Sequence, residues 1–246
     1  MQAEYQSPES RVAAIEDSYS YTEAVSRQVS RSHRANRIPS ELFRYRVIKR
    51  CADVFLVLLS VPLTLLVLGI VAVMVTLSSP GPILYSHRRI RKNGAFFSMW
   101  KFRTMCVDSA EVLEEYLARN PKARTEWNET HKLRNDPRIT PIGLFLRRYS
   151  LDELPQLWNV LAGQMSLVGP RPIVEGEIEK YGEVFDLYTK VRPGVTGLWQ
   201  VSGRNNTSYQ ERIEYDEYYL KNWSVWLDVY ILGRTIKAVL LAEGAY

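Results

Sequence analysis

The sequence predicts a mostly helical α+β protein, in which one N-terminal helical segment enters a membrane and a larger domain with short strands lies in the cytosol. Three observations lead to this fold class. Val54 to Leu77 is a long apolar run without a charged residue, as a membrane-inserted helix requires. Basic residues flank this run on both sides. The rest of the chain combines helical apolar spacing with a few alternating stretches typical of strands.

The chain divides into three predicted regions. Residues 1–43 are polar and poor in branched apolar side chains, which is typical of a disordered cytosolic tail. Residues 44–82 hold the apolar run and form the membrane element. Residues 83–246 form the predicted cytosolic domain, which is long enough to bury a sizeable core.

The composition favours an anionic partner. The net charge is +5 at pH 7, and such a basic balance suits an anionic lipid or a phosphorylated substrate. The sequence carries no RNA- or DNA-binding signature, so we expect no nucleic-acid partner. The two cysteines lie far apart and the three histidines are scattered. This pattern fits a reducing compartment and predicts no histidine metal site.

Pro62 lies inside the apolar run and favours a bent helix over a plain bilayer span. Its ring removes an amide donor and crowds the carbonyl of Leu58, and Ser60 stands close enough to satisfy a freed backbone group. We therefore expect a helix that enters the membrane, breaks near Ser60 and Pro62, and returns. The alternatives are a straight span and the buried core helix of a soluble protein, although such a helix normally carries polar residues on one face.

The flanking charges support this re-entrant helix-break-helix. A single span would place one basic cluster on the side that the positive-inside bias disfavours, whereas a returning helix keeps both clusters and the domain in the cytoplasm. The clusters are Arg44, Arg46, Lys49 and Arg50 before the run, and Arg88, Arg89, Arg91 and Lys92 after it.

The segment after the membrane element predicts a hairpin and then helices. Strong breakers at Ser79–Pro82 end the membrane element. Ile83 to Trp100 alternates loosely, which predicts a short strand pair with a turn at Asn93-Gly94. Residues 110–134 predict a charged helical pair that is broken at Asn120-Pro121.

The C-terminal part predicts membrane-interface amphipathic helices. Ile173 to Val191 has the spacing of one amphipathic helix. Tyr209 to Tyr230 is dense in tyrosine and tryptophan, which suits either the headgroup layer or a packed core. Val225 to Leu241 is apolar but interrupted by charges, and we expect it to pack on the membrane face of the domain.

Two adjacent carboxylates, Asp152 and Glu153, open the helical pattern SLDELPQLWNVL. Ser150 followed by Glu153 matches a capping box, which predicts both carboxylates in the first turn of a short helix. Pro155 leaves the register open, because a cap at Ser150 would lose an amide hydrogen bond there whereas a cap at Asp152 would not. The helix dipole at that end favours ionised carboxylates and attracts phosphate. A simple capping role is the alternative interpretation.

Arginines next to proline and glycine indicate phosphate contacts. Arg171 is held between two prolines, which suits a fork-shaped group that binds phosphate or carboxylate. Arg192 and Arg204 lie in RPGVTGLWQVSGRN, where glycines let the backbone approach a ligand closely. Further positive charge comes from Lys101, Arg103 and Arg147. Solvated basic edges and a turn-rich connector are the alternative interpretations.

These motifs resemble, in the same order, the blocks of the bacterial sugar transferase family, the monotopic polyprenyl-phosphate phosphoglycosyl transferases. The blocks are KFRTM, DPRIT (Asp136–Thr140), SLDELPQLWNVLAGQMSLVGPRP and RPGVTGLWQVSGRN. The stretch 110–134 resembles the subgroup of exopolysaccharide and O-antigen transferases that use UDP-galactose. One departure concerns the bend, where the family usually carries Ser-Pro and this chain has Leu65-Leu66.

The resemblance implies transfer of a sugar 1-phosphate from a UDP-sugar donor to undecaprenyl phosphate at the bacterial inner membrane, with release of UMP. Asp152 matches the nucleophile, which would form a covalent aspartyl-phosphosugar intermediate, and Glu153 matches the second carboxylate. Both are expected to bind Mg²⁺ together with substrate phosphates. The residues expected to bind substrate are Lys101, Arg103, Arg147, Arg171, Arg192 and Arg204.

Two functions of other classes are compatible with parts of the sequence. A non-catalytic membrane scaffold that binds anionic lipid would explain the basic flanks and the apolar run, but it would leave Asp152 and Glu153 unused. A conventional metal-dependent glycosyltransferase would release UDP rather than UMP. The subgroup favours UDP-galactose as donor over UDP-glucose. The sequence leaves the oligomeric state open, a homodimer included.

Overall fold

The structure is a computed structural model that describes residue 39 and residues 42–130, 133–202 and 207–241. The predicted tail, residues 1–43, therefore lies almost entirely outside the described residues, as does Arg204. Within the described part the chain is mostly helical with four short strands, which confirms the α+β class at that level.

The chain folds into two compact units. We call Ser60–His87 together with Trp100–Gln156 the central unit. Of the described residues, those up to Leu59, Arg88–Met99 and those from Leu157 to Leu241 form the terminal unit. Each unit has its own buried apolar residues.

The first helix, α1 (Phe43–Ser78), contains Pro62. Among the described residues it is the one helix that is long and apolar enough to cross a membrane, and 11% of its most apolar stretch is buried. A core helix would bury most of such a stretch, so this exposure favours a lipid environment. The helix is continuous through Pro62. The predicted break is therefore not seen, and the re-entrant path stays a prediction.

A hairpin follows α1, as the alternation of residues 83–100 predicts. Strands β1 (Leu84–Ile90) and β2 (Phe96–Phe102) form a two-stranded sheet. The turn places Asn93 at φ 64° and Gly94 at φ 68°, and two left-handed residues match the twist of a tight hairpin. The predicted turn at Asn93-Gly94 is confirmed.

The central unit continues with three helices, α2 (Ser109–Arg119), α3 (Pro121–Thr130) and α4 (Pro141–Arg148). The first two confirm the predicted helical pair with its break at Asn120-Pro121. Helix α4 is capped by Thr140, whose side-chain oxygen accepts the Gly143 N–H at 2.9 Å. Its inner face packs with the second half of α1 in a cluster of Val71, Val75, Phe102 and Leu146.

The segment with the two carboxylates differs from the prediction. Leu151–Glu153 forms a 3₁₀ turn, and Ser150 before it has a left-handed backbone (φ 54°) without a side-chain cap. The next α-helix, α5 (Gln156–Leu161), begins only after Pro155. The predicted capping box is therefore wrong. Because Pro155 has no N–H to donate, the α-helix starts after it and leaves both carboxylates outside.

Two parallel strands join the glycine- and arginine-containing motifs in the terminal unit. Strand β3 (Ser166–Val168) pairs with β4 (Gly194–Thr196), with Ser166 opposite Gly194. A Cβ atom at Gly194 would lie 2.2 Å from the Gly169 nitrogen, so this pairing requires glycine. Arg171 follows β3 whereas Arg192 precedes β4. Since the strands are parallel, the two arginines lie at opposite ends of the pair.

The chain between β3 and β4 is helical in short pieces. A 3₁₀ turn (Glu175–Glu177) precedes two short helices, α6 (Ile178–Tyr181) and α7 (Val184–Tyr188). Gly182 between them has φ 47°, and a left-handed residue cannot continue a right-handed helix. The prediction of one helix from Ile173 to Val191 is therefore wrong.

Three helices complete the terminal unit: α8 (Leu198–Ser202), α9 (Tyr209–Asn222) and α10 (Val225–Leu240). Tyr215 and Tyr219 are 0% and 1% exposed. Core packing is thus the correct interpretation for these two aromatic residues. Helix α10 keeps an exposed apolar face, and its packing on a membrane stays a prediction. This face includes Val225, Trp226, Val229, Ile236 and Leu240.

A buried ion pair ties α1 to α10 within the terminal unit. Lys49 Nζ lies 2.6 Å from Asp228 Oδ2. Tyr219 Oη donates to Asp228 Oδ1 at 2.8 Å, and Trp223 Nε1 donates to Asp228 Oδ2 at 3.0 Å. Three donors thus satisfy this carboxylate, as a buried charge requires.

Candidate active site

The two adjacent carboxylates open onto a cavity of about 550 Å³ in the central unit. This volume lies in the usual range of small-molecule sites. The cavity wall comes from β1, the end of β2 with the segment after it, α4 and the 3₁₀ turn. The lining residues are Pro82, Leu84, Tyr85, Lys101, Phe102, Arg103, Thr104, Met105, Cys106, Val107, Ser109, Arg147, Ser150, Asp152 and Glu153.

Asp152 is only 7% exposed, and this burial raises its pKa to about 6. Burial penalises the charged form of a carboxyl group. Lys101 and Arg147 oppose the rise, whereas Glu153 adds to it. Burial therefore outweighs the helix-dipole effect that the sequence predicts. Above pH 6 the group is mostly ionised, and its raised pKa makes it more basic than an exposed aspartate.

Lys101 reaches both carboxylates from β2. Its Nζ lies 2.5 Å from Glu153 Oε1 and 3.9 Å from Asp152 Oδ2. Lys101 is thus bound closely to Glu153, while its contact with Asp152 is longer than a hydrogen bond. The lysine supplies positive charge to the cavity and leaves the Asp152 oxygens accessible for another bond.

Arg147 belongs to the last turn of α4 and also lines the cavity. Its Nε donates to Thr104 Oγ1 at 2.9 Å. Burial lowers the pKa of Arg147, and the neighbouring Asp152 and Asp136 counteract this effect. An arginine nevertheless stays charged at any physiological pH. The cavity therefore holds a second fixed cation close to the carboxylates.

Arg103 also lines the cavity, but its guanidinium serves the end of α1. Nη2 donates to the Ser79 carbonyl at 2.6 Å and Nη1 to the Pro80 carbonyl at 2.9 Å. These oxygens follow the last helical turn, where carbonyl groups lack helical partners. Arg103 thus stabilises the exit from α1, and its predicted contact with substrate stays a prediction.

The three remaining predicted phosphate ligands lie outside this cavity's lining. Arg171 belongs to the terminal unit, and its guanidinium carbon lies 5.3 Å from the centre of the Trp199 ring. Arg192 also belongs to that unit and donates from Nε to the Gly163 carbonyl at 2.7 Å. Arg204 lies outside the described residues. Substrate binding by these three residues stays a prediction.

Sequence reasoning did not single out Thr104 or Arg212. Thr104 accepts the hydrogen bond from Arg147. Arg212 places its guanidinium carbon 4.7 Å from the centre of the same Trp199 ring that Arg171 contacts. Neither contact has a signal in spacing, because Thr104 and Arg147 are 43 residues apart and Trp199 and Arg212 lie on different helices, α8 and α9.

The carboxylate pair suits a magnesium ion that is also bound by phosphate. Among the described residues no cluster of three or more histidine, cysteine, aspartate or glutamate side chains could hold a metal. Mg²⁺ usually takes one or two carboxylates and completes its shell with water and substrate phosphates. Glu153 already accommodates the ammonium of Lys101 at 2.5 Å, so its position suits a cation. Magnesium binding stays a proposal.

This arrangement suits chemistry at phosphorus. A buried carboxylate with a raised pKa can act as a nucleophile or base, and neighbouring fixed cations can stabilise charge on phosphoryl oxygens. Asp152 and Glu153 are adjacent in a tight turn. The cavity thus combines an accessible carboxylate with two cations, Lys101 and Arg147.

The family described as bacterial sugar transferase has a sequence profile that matches residues 44–242. The chain is 51% identical over 212 residues to the UDP-galactose-lipid carrier transferase of Erwinia amylovora, covering 85% of this chain and 44% of that protein. It is 55% identical over 166 residues to the undecaprenyl-phosphate galactose phosphotransferase of Salmonella typhimurium, covering 68% of this chain and 35% of that protein. The chain therefore spans less than half the length of these two relatives.

A third relative has nearly the length of this chain. The exopolysaccharide production protein ExoY of Sinorhizobium fredii is 48% identical over 217 residues, which cover 85% of this chain and 94% of that protein. The region that matches the family profile, residues 44–242, includes the predicted membrane element and all cavity residues.

Proposed function

The chain belongs to the bacterial sugar transferase family, and we propose that it transfers a sugar 1-phosphate from a UDP-sugar to undecaprenyl phosphate with release of UMP. The proposed sugar is galactose, because the Erwinia and Salmonella relatives carry galactose in their names. UDP-glucose is the next candidate donor. The product would start an exopolysaccharide, as the name of the Sinorhizobium relative suggests, or a related glycan.

The observation that carries this proposal is the environment of Asp152. The carboxylate is 7% exposed, its pKa is raised to about 6 by burial, and it lines a cavity together with Lys101 and Arg147. A purely structural carboxylate would be saturated by short hydrogen bonds or ion pairs. The ion pair from Lys101 is instead 3.9 Å long, so Asp152 can form a bond to a substrate atom.

The proposed reaction has two displacements at one phosphorus atom. An Asp152 oxygen attacks the β-phosphorus of the donor, the bond from phosphorus to the bridging oxygen breaks, and UMP leaves with that oxygen. The sugar phosphate stays on Asp152 as an acyl phosphate. An oxygen of undecaprenyl phosphate then attacks the same phosphorus and restores the carboxylate. The net charge of reactants and products is equal, so the exchange needs no co-reactant.

The other cavity residues neutralise and orient the phosphates. Arg147 offers a fork-shaped cation that suits phosphate oxygens. Lys101 balances the charge of Glu153 while the cavity is free of substrate. Asp152 and Glu153 would hold Mg²⁺, which when bound supplies positive charge to the phosphoryl oxygens.

The lipid acceptor requires a membrane location. The exposed apolar stretch of α1 supports insertion in the bacterial inner membrane, and the basic clusters at both ends support a cytoplasmic domain with a re-entrant path. Cysteines introduced near residues 20 and 120, in a chain without its two native cysteines, test this in whole cells. Labelling near residue 20 by an impermeant reagent from outside would instead indicate a true span.

A donor screen tests the reaction. Purified full-length protein is incubated with undecaprenyl phosphate, Mg²⁺ and single UDP-sugars, and nucleotide products are separated. We expect UMP, with UDP-galactose as the best donor. Release of UDP would instead identify a conventional glycosyltransferase. Absence of any nucleotide release with any donor would favour the non-catalytic lipid-binding scaffold.

A further inference from the structure

The proposed function leaves the DPRIT motif and the threonine of KFRTM without a role. In the structure these two motifs are bound to each other through their backbones. Cys106 N–H donates to the Arg138 carbonyl at 2.9 Å, and Thr140 N–H donates to the Thr104 carbonyl at 3.1 Å. Met105 and Ile139 form an antiparallel bridge between these bonds. The segment after β2 is thereby fixed against the start of α4.

Helix α4 also approaches Thr104 directly. A Cβ atom at Gly143 would lie 2.1 Å from the Thr104 carbonyl oxygen and 2.9 Å from its Cα. Only glycine therefore permits this contact. Residues four apart lie on the same face of an α-helix, so Arg147 stands one turn above Gly143 on the face that meets Thr104.

The hydrogen bond from Arg147 to Thr104 uses one edge of the guanidinium. Nε donates to Thr104 Oγ1 at 2.9 Å, and Thr104 is 7% exposed. Because Nε is engaged, the two terminal amino groups remain for a ligand in the cavity that Arg147 lines. Two parallel N–H groups of this kind suit two oxygens of one phosphate.

Asp136, which also acts on the charge of Arg147, is already bound to a different arginine. Arg138 donates from Nε to Oδ1 at 2.8 Å and from Nη2 to Oδ2 at 2.6 Å. Burial raises the pKa of Asp136, but these hydrogen bonds outweigh it and lower the pKa overall. Asp136 thus holds the DPRIT turn in place, whereas the hydrogen bond from Arg147 Nε goes to Thr104.

We propose that Thr104 is a positioning residue, whose hydroxyl oxygen holds Arg147 so that its terminal amino groups face the donor phosphates. The inference rests on the proposed function, since it concerns the same cavity. Thr104 acts through Arg147 and needs no contact with substrate itself. Gly143 and the DPRIT turn provide the close approach on which this hydrogen bond depends.

The first test compares Thr104→Val, which keeps the shape but removes the acceptor, with Thr104→Ser, which keeps it. The steady-state kcat and KM for the UDP-sugar are measured with full-length protein in detergent micelles. We expect kcat/KM to fall roughly tenfold to a hundredfold in Thr104→Val, since the lost bond involves a charged group. Thr104→Ser should recover most of this loss. The inference is overturned if Thr104→Val matches the wild type, or if Thr104→Ser is as impaired as Thr104→Val.

Thr125→Val is the matched control, because it makes the same chemical change at an exposed position of α3, where the hydroxyl donates to the Pro121 carbonyl of its own helix. It should leave kcat/KM unchanged. The thermal unfolding midpoint of each variant is measured alongside. Where Thr104→Val does not fold, Thr104→Ala removes the same acceptor without adding a methyl group to the site and serves in its place.

A double-mutant cycle with Arg147→Lys separates positioning from a general structural role. Lysine has no Nε–H to donate, so adding Thr104→Val to Arg147→Lys should lower kcat/KM by less than about twofold more. If the double variant instead loses kcat/KM by the product of the two single losses, Thr104 acts independently of Arg147 and the inference is overturned. Failure of the proposed function would look different, because the wild-type protein itself would then release no UMP.

Discussion

Asp152 in the central unit and Asp228 in the terminal unit are both shielded aspartates beside a lysine, yet their surroundings differ in one respect. Asp228 receives short bonds from Lys49, Tyr219 and Trp223, none longer than 3.0 Å. Asp152 has its lysine at 3.9 Å and lines a cavity. The Asp228 carboxylate is saturated by bonds within the fold, whereas the Asp152 carboxylate can still bind a ligand. For these two aspartates, bond saturation rather than burial separates the structural carboxylate from the one that can bind a ligand.

Asp216 in the terminal unit shows that a raised pKa alone does not mark a reactive site. Burial raises its pKa to about 7, which is higher than the value for Asp152. Asp216 is 1% exposed, and its Oδ2 accepts bonds from Tyr181 Oη at 2.8 Å and from the Arg171 N–H at 3.3 Å. It fixes the backbone of the loop between two prolines. A reactive carboxylate therefore also needs access to a cavity, in addition to an oxygen that is free to form a bond, and Asp152 lines such a cavity.

The largest expected effect is that of Asp152→Asn. Asparagine keeps the size of the side chain but cannot form an acyl phosphate, so turnover should fall by about a thousandfold or more. Donor labelled in the β-phosphate should mark the wild-type protein without acceptor and should not mark the variant. Added undecaprenyl phosphate should then move the label into lipid. Turnover above about one hundredth of wild type in Asp152→Asn would instead support direct transfer with the pair as metal ligands.

Asp228→Asn should affect stability rather than chemistry. It leaves Lys49, a residue that is 5% exposed, without its partner charge, so the free energy of unfolding should fall by about 3 kcal/mol. Denaturant unfolding in micelles measures this loss. Turnover per folded molecule should stay near wild type. The paired change Lys49→Met with Asp228→Leu removes both charges and should recover most of the loss, and a loss below about 1 kcal/mol in Asp228→Asn would contradict the assignment.

Arg171→Lys tests whether the terminal unit contributes to phosphate binding. Lysine keeps the charge but loses the planar fork that can donate to two phosphate oxygens, so kcat/KM for the donor should fall about tenfold, which corresponds to about 1.4 kcal/mol of transition-state stabilisation. Steady-state kinetics on micelle-bound protein measure the change. Arg119→Lys, on the exposed surface of α2, is the control. Near-normal turnover in Arg171→Lys would remove Arg171 from the binding residues.

The smallest expected effect concerns pH. Because Asp152 must be ionised to attack and its pKa is about 6, kcat/KM should rise with pH through about 6 and level off above it. The ammonium of Lys101 lowers this pKa, so Lys101→Met should move the acid limb to higher pH, by about one unit or less. Lys122→Met, an exposed lysine on α3, should leave the limb in place. If the acid limb of the pH profile is unchanged in Lys101→Met, or moves to lower pH, Lys101 does not act on the titrating carboxylate.

Much of the cavity could be predicted from the sequence. Five residues that the sequence predicts in the site line the cavity: Lys101, Arg103, Arg147, Asp152 and Glu153. They could be predicted because short motifs carry these charges in a recognisable order. The charge state of Asp152 could not be predicted from a helical pattern, since the 3₁₀ turn and burial replaced the helix dipole. The partner of the Arg103 guanidinium could not be predicted either, because its contacts with Ser79 and Pro80 are visible only in the structure.

The sequence by itself determined the elements whose causes are local. The Asn93-Gly94 turn, the break at Asn120-Pro121, the long apolar helix and the pair of adjacent carboxylates all follow from neighbouring residues. Only the tertiary structure decided which charges are saturated, because this depends on partners that are distant along the chain. Lys49 and Asp228 are 179 residues apart, and Thr104 and Arg147 are 43 apart. Hydrogen bonds are decided by distances of tenths of an ångström, and no local pattern determines such distances between segments that meet only on folding.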